Sequence, residues 1–66
     1  MENSGIQKAV NIAGSQRKLA ALIGVSNQSI SNWVKAGRAP AEWAAAIEFI
    51  LGGQVNRKEL NEAHDG

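Results

Sequence analysis

Gln16-Arg-Lys-Leu-Ala20-Ala-Leu-Ile-Gly24-Val-Ser-Asn-Gln-Ser-Ile30-Ser-Asn-Trp33-Val-Lys35 is the stretch on which the fold turns. It reads as two short helices joined by a tight turn. Ser15, just ahead of it, offers an oxygen to the free N–H groups of a helix over 16–23, whose Leu19, Ala20, Leu22 and Ile23 fit one broad apolar face. Gly24 ends that helix, because glycine adopts positive φ without the clash a Cβ would cause. Ser26 caps the next helix, over 27–36, with Ile30, Trp33 and Val34 at i, i+3 and i+4 and Gly37 as its left-handed stop. Ala20 lies four residues before the turn glycine, where the helix axes approach and a larger side chain would hold them apart. Val25 fits the angle between them.

Working outward, Ser4 and Gln7 have capping-box spacing ahead of Ile6, Val10 and Ala13, which predicts a first helix over 5–13 stopped by Gly14. Pro40 is tolerated in a first helical turn, so a fourth helix is expected over 40–51, closed by Gly52 and Gly53. Trp43, Ile47, Ile50 and Leu51 form its inward stripe. Asn56 and Glu59 suit a second capping box for a short fifth helix over 57–63, with Val55 and Leu60 packing back. An extended 54–60 segment is the alternative, and the tail 64–66 is expected to fray. The expected architecture is all-α, a four- to five-helix bundle containing a helix-turn-helix, in a single domain over 1–66.

A 66-residue chain leaves little room for a deep catalytic pocket, and the absence of cysteine excludes disulfide and thiolate-metal reinforcement. No apolar run approaches the roughly 20 residues of a membrane span, and the N-terminus lacks a secretion pattern. No membrane association is expected. A formal net charge of +1 conceals an asymmetry. Residues 1–41 carry Lys8, Arg17, Lys18, Lys35 and Arg38 against Glu2 alone, a net +4, whereas 42–66 set Arg57 and Lys58 against five carboxylates, a net −3. The basic half suits phosphates and the acidic half is expected to face away.

The outer face of the 27–36 helix carries Asn27, Gln28, Ser31 and Asn32. A solvated polar face is the bland reading. The sharper one is base recognition, since Asn and Gln pair two-fold with the N6/N7 edge of adenine and Ser donates or accepts, when a helix lies in the major groove. Ser29 is assigned to structure. Phosphate contacts are expected from Ser15 and Gln16 at the start of the second helix and from Lys35 and Arg38 after the recognition helix. Arg17 and Lys18 are candidates beside them, balanced against simple solvation, and Lys8 is a weaker one.

These residues carry a resemblance. Gln16-Arg-Lys-Leu-Ala20, Ile23-Gly24-Val-Ser26 and Ile30-Ser-Asn-Trp33 look like the helix-turn-helix of bacteriophage Cro repressors. The likeness continues through Ala36-Gly37-Arg-Ala-Pro40, Ala46-Ile-Glu48, Gly52-Gly-Gln-Val55 and Arg57-Lys-Glu-Leu60, similar to the all-helical Cro branch and the related YdaS-like prophage regulators. It covers nearly the whole chain. The resemblance implies dimeric binding to double-stranded operator DNA and repression of prophage promoters, in the cytoplasm of a bacterial host. Relatives called antitoxins keep a protein-interaction module as the alternative. Some Cro proteins have a C-terminal β-hairpin, but alanine-rich 44–46 argues for helix here.

Other chemistries fit poorly. A nucleophilic serine needs an oriented base, and the one histidine, His64, lies in the tail, so neither an enzyme nor a small-molecule substrate is expected. His64 with Glu62 and Asp65 is a poor metal set on a fraying end, and no Gly-rich turn follows a strand, so no cofactor is expected. Trp33 and Trp43 sit at helical spacing as core residues rather than stacking platforms. Phe49 falls well over 90° from the stripe of its helix at about 100° per residue. It is expected in a weak homodimer with Val55 and Leu60, stabilised on DNA, the alternative being an edge of the monomer core.

Overall fold

The computed structural model describes residues 4–61. Five helices follow in order: α1 (Gly5–Ala13), α2 (Gln16–Ile23), α3 (Asn27–Ala36), α4 (Ala41–Ile50) and α5 (Arg57–Asn61). No strand occurs among the described residues. The first three helices start where serine caps place them. The Oγ atoms of Ser4, Ser15 and Ser26 accept from the main-chain N–H of Gln7, Lys18 and Ser29 at 3.2, 3.1 and 3.1 Å, each satisfying a donor that the first helical turn leaves without a partner. The Gln7 side chain does its work elsewhere, donating from Nε2 to Asn11 Oδ1 at 3.1 Å. The box at α5 is reciprocal: Glu59 N donates to Asn56 Oδ1 at 2.8 Å, and Asn56 N to Glu59 Oε1 at 3.3 Å. That exchange makes 57–61 helical rather than extended. The expected end of this helix at Ala63 lies outside the described residues, as does the His64, Glu62, Asp65 set.

Pro40 stands one residue further out than expected. With φ −58° and ψ 149° it is extended, and its carbonyl accepts from Trp43 and Ala44 at 3.0 and 2.8 Å, so the fourth helix begins at Ala41. The ring fixes φ, while its missing N–H costs nothing ahead of a helix.

All five helices contribute to one core. Ile6, Leu19, Ile30, Ile47, Val55 and Leu60 are fully buried, joined by Ala9, Val10, Ala20, Ile23, Ala39, Ala44 and Leu51. Burying side chains of this size contributes about 1.5–3 kcal/mol each before chain entropy is counted. Two expected inward residues lie at the surface: Leu22 is 53% and Ile50 40% exposed. At ~100° per residue, Leu22 falls roughly 110° from the centre of the Leu19, Ala20, Ile23 arc, and Ile50 about 90° from that of Ala44, Ile47 and Leu51. Ala44 takes the inward place that Ile50 was given. Val55 and Leu60 pack back as expected but are 0% exposed, so they are enclosed within the protomer and cannot form the dimer surface also expected of them.

The short α5 is held by specific contacts. Ala39 N donates to Leu60 O at 2.7 Å and Asn61 Nδ2 to Ala39 O at 3.0 Å, fastening α5 to the α3–α4 connection. Lys8 Nζ meets Glu59 Oε2 at 2.6 Å, an exposed ion pair that engages the weakest of the phosphate candidates. No described helix is long and apolar enough to cross a membrane.

At Gly5 the backbones of α1 and α5 approach closely. A Cβ there would lie 2.5 Å from the carbonyl carbon and oxygen of Glu59 and 2.8 Å from Leu60 N, all backbone atoms that cannot swing aside. Gly5→Ala should therefore push α5 off α1 and cost about 1–3 kcal/mol, the usual range for overpacking. A chemical-denaturation midpoint equal to wild type would contradict this close contact.

Candidate nucleic-acid interface

The angle between α2 and α3 is set at one carbonyl. Ala20 O accepts from Gly24 N at 2.8 Å and Val25 N at 3.0 Å, with Gly24 in the left-handed region at φ 79°, ψ 31°. A non-glycine residue would meet the Cβ penalty of that conformation. Ala20, 4% exposed, is closed in by the packed pair of helices, and Val25 lies half-buried against the core. Ile30 anchors the inner side of α3. Trp33 and Trp43 pack beside it, their ring centroids 6.2 Å apart and tilted by 35°, which braces α3 against α4.

With Ile30, Trp33 and Val34 turned inward, Asn27, Ser31, Lys35, Gln28 and Asn32 occupy an outer arc of ~140° at the helical repeat. Asn27, Gln28, Asn32 and Lys35 are exposed, whereas Ser31 is half-buried and presents less of its hydroxyl. Gln28 Nε2 donates to Asn32 Oδ1 at 3.0 Å across one turn. Sequence reasoning passed over this bond, although the four-residue spacing signalled it. It holds the two amides together and leaves Gln28 Oε1 as an acceptor and Asn32 Nδ2 as a donor outside this bond. Ser29 is confirmed as structural: its N–H caps onto Ser26, and the two hydroxyls lie 3.0 Å apart.

The candidate phosphate contacts flank this face. Ser15 and Gln16 are half-buried at the start of α2, the Ser15 oxygen accepting from Lys18 N while its hydroxyl proton stays available. Arg17, Lys18, Lys35 and Arg38 are exposed. The structure thus brings the α2 start and the outer face of α3 into one motif. It separates Phe49, 86% exposed near the end of α4, from Val55 and Leu60 in the core.

Two helices joined through a left-handed glycine, the second with a polar outer face, define a helix-turn-helix protein. The family model described as "Bacterial toxin YdaS" matches residues 6–66. The chain belongs to that family. It is 40% identical over 60 residues to "Putative transcriptional regulator YdaS" of Escherichia coli (strain K12), a match that takes in 89% of this chain but 61% of the length of that relative. Among solved structures, the Cro protein from "putative prophage element Xfaso 1" in Xylella fastidiosa strain Ann-1 superposes with a TM-score of 0.81 at 44% identity, over 86% of this chain and 88% of that one. The all-helical Cro-like fold is thereby shown.

Ala20→Leu tests the helix contact directly. The added carbon atoms have no space at a 4% exposed position between packed helices, so stability should fall by about 1–3 kcal/mol. An unchanged thermal melt would remove Ala20 from that contact.

Proposed function

We propose that this protein is a sequence-specific, double-stranded DNA-binding transcriptional repressor of the prophage type, acting in the bacterial cytoplasm with α3 in the major groove. The observation that carries the reading is the outer face of α3: exposed amides of Asn27, Gln28 and Asn32 on a helix anchored from behind by Ile30. The hydrogen-bonded Gln28–Asn32 pair retains one acceptor and one donor, the complement of the adenine N6 donor and N7 acceptor. Asn27 and Ser31 extend the reading along the helix. Ser15, Gln16, Arg17, Lys35 and Arg38 take phosphates on either side and set the register without reading sequence. The likeness to a Cro protein and to a protein described as a transcriptional regulator supports this function. It is a binding role, without catalysis.

A second reading rests on the family's description as a toxin, which would have the chain act through a partner protein in a toxin or antitoxin role. The α3 face favours DNA over this. Interface cores between proteins are enriched in aromatics, Met and Arg, whereas α3 presents amides, hydroxyls and Lys35.

One recognition helix reads only a few base pairs, so the reading includes a homodimer on a pseudo-palindromic site, with recognition helices about 34 Å apart. The longest dimension of the protomer is 28 Å, so two copies side by side span that distance. Phe49 and Ile50, adjacent and exposed at the end of α4, supply the apolar contact. So small a patch makes a weak dimer that forms mainly on DNA.

Gln28→Ala and Asn32→Ala should each lose roughly 1–3 kcal/mol on the preferred site and relax preference at one position, with non-specific affinity nearly unchanged. Binding-site selection is the check, and a sequence preference identical to wild type in both variants would refute major-groove reading by this face. Phe49→Ala should abolish cooperative occupation of a two-half-site duplex while leaving half-site binding and the melting temperature intact. Undiminished cooperativity would place the dimer contact elsewhere.

A further inference from the structure

The row Gln28, Asn32, Ala36 descends one side of α3 at four-residue spacing, and its last member leads off the reading face. Ala36 and Arg38 line an open depression of about 420 Å³ together with Trp33, Ala39, Pro40 and Asn61. A second depression of about 350 Å³ is lined by Ala41, Ala44, Arg57, Lys58 and the same Asn61. Asn61 is held between the two by its bond to Ala39 O. Arg38, Arg57 and Lys58 are all exposed, and none has a carboxylate partner among the described residues. Glu42, in the first turn of α4, lines neither depression.

We infer that Arg57 and Lys58 form, with Arg38, a cationic strip that binds the DNA backbone beyond the base pairs read by α3, widening the footprint from the recognition helix onto α5. The inference rests on the DNA-binding reading above. The partner is a run of phosphates, because the strip continues from the C-terminal end of the reading face and carries three exposed cations with no carboxylate partner among the described residues. An acidic protein segment would need no continuity with that face. The contact is sequence-independent: Arg and Lys on phosphate oxygens fix register and orientation and release counterions, without touching a base edge. The fastening of α5 at Ala39, Asn61 and Gly5 then has a role in function, since it fixes the strip relative to α3.

The test is equilibrium binding of the full chain to its selected duplex across a salt series, with Arg57→Gln/Lys58→Gln beside wild type. Each lost phosphate contact lowers the slope of log K against log salt by about 0.9, so the double variant should lose about two units while selecting the same sequence. The single variants should lose about one unit each, and they keep the measurement valid if the double variant melts early. Methylphosphonate replacement of the flanking phosphates should reproduce the loss in wild type and add nothing in the double variant. A wild-type slope in the variants, with wild-type protein binding the duplex, would overturn the strip and leave α3 reading intact. If wild-type protein itself ignored duplex DNA, the functional reading would fall first and the strip with it.

Discussion

The carbonyl of Ala20 receives two amides, Gly24 N at 2.8 Å and Val25 N at 3.0 Å, and the orientation of α3 descends from that bifurcated bond. It forces a left-handed residue into the chain at Gly24 and turns Val25 inward against the core. The next residue, Ser26, is left in extended conformation as the α3 cap. Once the turn is made, Ile30 falls into the core, and the helical repeat sends Asn27, Gln28 and Asn32 to the surface. A recognition surface needs this fixed relation between helices, because a displacement of about an ångström at the backbone is comparable to the tolerance of a hydrogen bond to a base edge.

The remaining helices keep that relation rigid in a chain too small to be generously stable. α4 braces α3 through the tryptophan pair, and α5 closes the core with Leu60. The bare backbone of Gly5 lies so near Glu59 and Leu60 that a Cβ has no room there. A single turn is costly to nucleate, and the reciprocal cap between Asn56 and Glu59 acts with the buried Leu60 and the bonds to Ala39 to hold these five residues helical.

Local chemistry was legible in the sequence and spatial proximity was not. Ser4, Ser15 and Ser26 act through N–H groups three residues on, and Gly24 through its own φ, so the bounds of the first three helices could be read directly. Apolar periodicity was less decisive at the edges of an arc. Leu22 and Ile50 are hydrophobic and near the inward stripe, yet they lie at its flank, where the described helices leave them exposed. Val55 and Leu60 could be assigned to the core or to a dimer surface from sequence, and burial decided for the core. The approach of Gly5 to Glu59 joins residues far apart in the chain and leaves no signal in either segment alone. A tally of charge along the chain is likewise silent on proximity: it groups Arg57 and Lys58 with the acidic half, whereas in space Asn61 links their depression to that of Arg38. At the candidate site the residue types were readable, but the half-burial of Ser31 and the pairing of Gln28 with Asn32 needed the folded helix.

The central claim is that the outer face of α3, held at the angle the Ala20 carbonyl sets, is the surface that meets DNA. Titration of the isotope-labelled protein with a duplex carrying its selected site, followed by two-dimensional NMR of backbone and side-chain amides, tests it most directly. The account predicts that the largest shifts fall on the start of α2 and on Asn27, Gln28, Asn32 and Lys35, with the Gln28 and Asn32 side-chain amides among them. Shifts gathered at Phe49 and Ile50, with α3 unperturbed at saturating duplex, would contradict it.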